Sequence, residues 1–140
     1  MVGCTNTSRL EKILAEILPP NIQVTMTETC AKLLGPAVAL FSTVSPPAEK
    51  SILDHTSDGL WVRSASLLEF AEADAREYGG AGVGATILDG KECLRDKTDT
   101  ADEILFGSKD GLYFRSNNRQ IVAILFDEPE GHGVLFLQAP

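Results

Sequence analysis

The stretch KDGLYFRSNNRQIVAILFDEPEGHGVLFLQ, residues 109–138, decides the fold. Three apolar runs are separated by Ser116-Asn117-Asn118 and by Glu128-Pro129-Glu130-Gly131. Asparagine tolerates positive φ and a Pro-x-Gly segment punctuates a turn, so two hairpins are expected. In the middle run, Ile121 to Phe126, no polar residue alternates with the apolar ones. A strand of that kind is buried on both faces. The tail therefore predicts an antiparallel meander with helices above and below it.

Working outward, Ser8-x-x-Glu11 reads as a capping box, followed by Leu10, Ile13, Leu14 and Ile17 at helical spacing. Pro19-Pro20 stops that helix at Leu18. A shorter helix is expected over Thr27 to Leu34, closed by Gly35. AVALFSTV, residues 37–44, has strand length, and SILDH, residues 51–55, reads as a brief return strand. Ser66-x-x-Glu69 is a second capping box, with Leu67, Ala71, Ala75 and Tyr78 as a stripe and Gly79-Gly80 as the stop. ATILDG, residues 85–90, reads as an extra strand, and KECLRDKTDTAD as a charged loop.

The chain has 140 residues, 44% hydrophobic and 23% charged, which suits one globular core. No run approaches the roughly 18 apolar residues of a membrane span, so no membrane insertion is expected. The N-terminus lacks a basic region followed by an apolar stretch, which predicts a cytoplasmic protein. The net charge of −8 argues against nucleic acid, whose phosphates would be repelled. It suits a basic protein partner or simply good solubility. Cys4, Cys30 and Cys93 are widely spaced, implying neither a disulfide framework nor a zinc site.

GAGVGA, residues 80–85, formally satisfies a dinucleotide fingerprint. That chemistry needs a strand before the glycines and a helix after them. Here a helix precedes, so the run reads as a connection. Asp54-His55 beside Ser51 and Ser57 has no nucleophile elbow around it, and Asp127, Glu128 and Glu130 lack calcium-loop spacing. No catalytic residue, metal ligand or cofactor is predicted. Trp61, Phe70 and Tyr78 around the second capped helix serve either a core or a partner surface, where aromatics and arginine are enriched.

The tail resembles the roadblock/dynein light chain family, and within it bacterial regulators of Ras-like polarity GTPases of the MglB type. The resembling positions are Lys109-Asp110 before Leu112-Tyr113, the run Ile121 to Phe126 closed by Asp127, and Gly133-Val134. Upstream, SASLLEFAEADAREYGG falls where that family has its central helix. The resemblance implies an α+β sandwich, a five-stranded antiparallel sheet between helices, over residues 27–140; the helical extension at residues 1–26 is a departure from the family. It implies a dimer and a small Ras-like GTPase as partner, with the mate either a second copy or another roadblock chain. Such a protein would be a non-enzymatic regulator or scaffold.

On that reading the partner interface is Arg63, Leu67, Phe70, Asp74 and Tyr78. The dimer edge strand is Leu112, Tyr113, Phe114 and Arg115, which carries no proline and only one charge. The family's C-terminal helix has no counterpart before Pro140, and the N-terminal helix is expected to cover the sheet face left bare. The alternative from another class is an acidic chaperone or immunity protein that masks a basic effector.

Overall fold

The computed structural model describes residues 2–31, 36–44, 48–80, 82–93, 110–128 and 130–138. The described chain is α+β, with one antiparallel sheet between two helical layers. Its order is α1 (Val2–Ile17), β1 (Val24–Ala31), β2 (Ala37–Thr43), α2 (Glu49–Leu53), β3 (Gly59–Ser64), α3 (Leu67–Tyr78), α4 (Gly82–Cys93), β4 (Gly111–Ser116), β5 (Ile121–Phe126) and β6 (His132–Leu137). The sheet has six strands rather than the expected five, in the order β1-β2-β6-β5-β4-β3. The meander read from residues 109–138 is present as β4, β5 and β6. Its first turn takes positive φ at Arg119 (62°) rather than at an asparagine.

Val122, Ala123, Ile124 and Leu125 are all buried, and their side chains divide between two cores. Ala123 and Leu125 face the layer of α1 and α2, together with Ala37, Ala39 and Phe41 of β2 and Leu135 and Leu137 of β6. Val122 and Ile124 face α3 and α4, with Val38, Val134 and Phe136. Both sides of the central strands are dry, which is why their sequences do not alternate.

As expected, α1 covers one face. Leu10, Leu14 and Leu18 are each at most 1% exposed, and burying such a side chain contributes about 1.5–3 kcal/mol. The helix begins at Val2, so Ser8 lies inside it rather than at its cap. The C-terminal carbonyls, which have no intrahelical donors, are met from elsewhere. The Trp61 indole N–H donates to the Ile17 carbonyl at 2.7 Å, and a His55 ring nitrogen lies 3.0 Å from the Glu16 carbonyl. The same hydrophobic core runs through α1 and the sheet, and the boundary placed at residue 26 falls within β1.

Three local expectations give way. Residues 24–31 form a strand, not the start of a helix, because Val24, Thr25, Thr27 and Thr29 are β-branched and exposure alternates along them. A bulge between Met26 and Glu28 then turns the strand over. Val24 and Met26 lie with the α1 core, whereas Cys30 faces α4. SILDH falls partly in α2, which inserts Ile52 into the first core. ATILDG lies within α4, where Val83 and Ile87 pack on the sheet. Gly90 permits this approach: a Cβ there would sit 2.5 Å from the Phe136 ring. Most of KECLRDKTDTAD lies outside the described residues.

The glycine run links α3 to α4, so no strand precedes it and the dinucleotide fingerprint has no structural context. Cys30 and Cys93 are joined by a disulfide, contrary to the expectation from their spacing. The bulge in β1 supplies the missing information, since it aims Cys30 at the end of α4.

Candidate partner interface

The helix expected at an interface is present and capped as predicted. Ser66 Oγ accepts the Glu69 backbone N–H at 3.1 Å, and Gly79 ends α3 at φ 76°. Its expected partner-facing residues, however, do not share one surface. Leu67, Phe70 and Asp74 are at most 5% exposed and face the chain's own sheet. Phe70 stacks on Tyr113 of β4 with ring centroids 5.1 Å apart. Burial, then the charge of Asp110, pushes the Tyr113 phenol well above its ordinary pKa. Of the two remaining aromatics, Trp61 belongs to the first core and Tyr78 is 48% exposed.

Arg63 lies on β3, not on α3, and points to the opposite face. Its guanidinium forms a fork with Asp127 at 2.7 and 3.1 Å and also pairs with Glu49. This clamp ties α2 and β3 to the turn after β5. The fork with Arg63 holds the Asp127 carboxyl below its ordinary value near 3.8. The Asp127 contribution is therefore complete above that ordinary value and is lost as pH falls through the depressed one. Both side chains are more than 40% exposed, so solvent screens the pair. Replacing Arg63 by Met is expected to cost no more than about 1 kcal/mol at neutral pH and less at an acid pH that protonates Asp127. Urea midpoints of the two proteins at both pH values check this.

The expected dimer strand is also corrected. Leu112, Tyr113, Phe114 and Arg115 lie on β4, which is flanked by β3 and β5 and is therefore not an edge. Among the described residues the edge strands are β1 and β3, and the one on the β4 side is β3, which GLWVRS supplies just before the Ser66 cap. The signal was available in the β-branched and aromatic content of Trp61 and Val62. Along this edge Leu60 is 53% exposed, and Leu68 and Tyr78 of α3 are 67% and 48% exposed.

What the structure does bring together is Asp74, Tyr78 and Arg115, drawn from the two expected groups, with Arg119, which sequence reasoning passed over. Asp74 Oδ2 accepts from Arg119 Nη2 at 2.6 Å and Nε at 3.1 Å, and from the Val83 backbone N–H at 3.3 Å. A carboxylate near the start of α4 suits the positive end of the helix. Arg115 Nε lies 3.5 Å from Asp74 Oδ1, its guanidinium stands 4.0 Å above the Tyr78 ring, and it donates to the Tyr78 hydroxyl. Arg119 Nη2 also donates to the Gly79 carbonyl at 2.8 Å. Thr86 locks the hairpin behind it by donating to the Arg119 carbonyl at 2.6 Å. With its carboxylate 2% exposed, this knot fastens α3, α4 and the β4–β5 hairpin to one another.

No family model, curated protein or solved structure matches this chain. No helix among the described residues is long and apolar enough to cross a membrane.

Proposed function

We propose that the chain is a non-enzymatic protein-binding module that docks through β3 and the outer side of α3. The supporting observation is the outer edge of β3, which pairs with no other strand among the described residues, with Leu60, Leu68 and Tyr78 exposed on the adjoining strand and helix. An edge strand with apolar side chains is a template for pairing with another chain. On this reading β3 of a second copy, or of a roadblock-type chain, extends the sheet. The partner class that the tail's resemblance supplies is a small Ras-like GTPase, which such a dimer would regulate or scaffold by favouring one of its existing conformations.

A second reading, masking of a basic effector, is favoured by how three of the arginines are used. Arg63, Arg115 and Arg119 are engaged in intramolecular pairs, while the chain carries a net charge of −8. An arginine held this way is poorly suited to reach into a partner's active site, and the acidic excess is left facing outward. Parallel capture from native lysate with GDP and with a non-hydrolysable GTP analogue separates the two. A GTPase retained only with the analogue supports the first. A basic protein retained equally in both, and released by salt, supports the second.

The edge itself is tested by Leu60→Glu. Opposite Arg115 in the β3–β4 register, the new carboxylate is tolerated in the monomer. It should weaken self-association or partner binding roughly tenfold or more, as removal of a central interface side chain does. Unchanged mass in light scattering together with unchanged partner retention would overturn the docking surface.

A further inference from the structure

Where α1 ends, the chain leaves a groove of about 690 Å³ beside the β4–β5 hairpin. Ile13, Ile17, Phe114 and Ile121 supply apolar lining, and Glu16 and Asp58 are exposed carboxylates at its margin. The described lining residues include no lysine or arginine. Asn117 and Asn118 offer amides, and the Ser57 hydroxyl is buried without a hydrogen-bond partner among the described residues. The charged side chains that line the groove among the described residues are thus both acidic, above an apolar bed.

We infer that this groove binds a basic peptide segment of a protein partner, seating an arginine or lysine whose aliphatic stem lies on the isoleucines and whose charged head meets Glu16 and Asp58. Long basic side chains divide themselves in this way between apolar surface and a polar margin. The groove is open to solvent, whereas sites for small molecules enclose most of their ligand. Charge complementarity selects a basic occupant over a neutral one. The inference rests on the reading of the chain as a protein-binding module, but concerns a different face from the outer side of α3.

Trp61, the chain's one tryptophan, stands 5.3 Å from the ring of Phe114, which lines the groove, so its fluorescence reports occupancy. The experiment titrates the full chain with a blocked pentapeptide of alternating leucine and arginine. The same peptide with neutral citrulline in place of arginine is the control. Saturable binding of the arginine peptide, clearly tighter than that of the citrulline one and weakened by salt, is expected. Glu16→Gln and Asp58→Asn should each weaken it roughly threefold, as loss of one partly exposed ion pair does. Absence of saturation, equal binding of both peptides, or affinity unchanged in the double variant would overturn the proposal. Circular dichroism of the variants establishes that they are folded. Loss of peptide binding with Leu60→Glu self-association unaffected, or the reverse, shows which of the two sites has failed.

Discussion

Breaking the Cys30–Cys93 bond is expected to lower the stability of the chain by about 4 kcal/mol, from the entropy of closing a long loop in the unfolded state. The bond spans 63 residues in sequence. It fastens β1, at one margin of the sheet, to the end of α4. Without it the unfolded chain gains freedom, and the edge strand loses its covalent tie to the second helical layer. Guanidinium unfolding followed by Trp61 fluorescence, with and without reductant and for Cys30→Ser, measures the effect. Reductant should then leave the Cys30→Ser midpoint unmoved. Equal midpoints for the oxidised, reduced and substituted proteins would show that the bond contributes nothing. Such bonds persist in oxidising compartments. Finding it formed in cells would therefore set aside the cytoplasmic expectation drawn from the N-terminal residues.

The second large effect is expected at Asp74. Removing one partner of a buried ion pair leaves an uncompensated charge, at a cost of about 3–5 kcal/mol. Asp74→Ala would strand the guanidinium of Arg119, whose side chain is 19% exposed, and would withdraw the carboxylate from Arg115 and the Val83 N–H. Asp74→Asn keeps the volume and one acceptor, so it should cost less. Replacing Arg119 by Met in the Asp74→Ala background should recover part of the loss, because the stranded charge is then gone. A double-mutant cycle by urea unfolding measures that coupling directly. A coupling near zero would mean that the knot is screened by water and that α3 and α4 are held by their apolar contacts alone.

These two sites also mark where local reading stops. The capped α3 was legible because Ser66, Glu69 and Gly79 act within a few residues of one another. The meander was legible because a doubly buried strand cannot hide its composition. Arg119 was passed over because nothing near it in sequence explains it; its partner Asp74 is 45 residues away. The edge was assigned to β4 because that strand has no proline and only Arg115 as a charge, features that equally suit a strand paired on both sides. The second half of β1, from Thr27, reads as a helix because Gly35 resembles a stop, while the period-two pattern of the threonines is the stronger physical signal.

By itself the sequence determined the two capped or proline-stopped helices, the C-terminal hairpins and the need for apolar layers on both sides of the sheet. Each follows from interactions between near neighbours or from a run's own composition. Only the tertiary structure decided that β3 crosses to the far side of the sheet, that β2 rather than β1 meets β6, and that Cys30 turns toward Cys93. Those outcomes depend on pairings between distant segments, and loop closure costs little more as the intervening chain lengthens. Many partners are therefore entropically similar, and the choice falls to packing against the rest of the sheet.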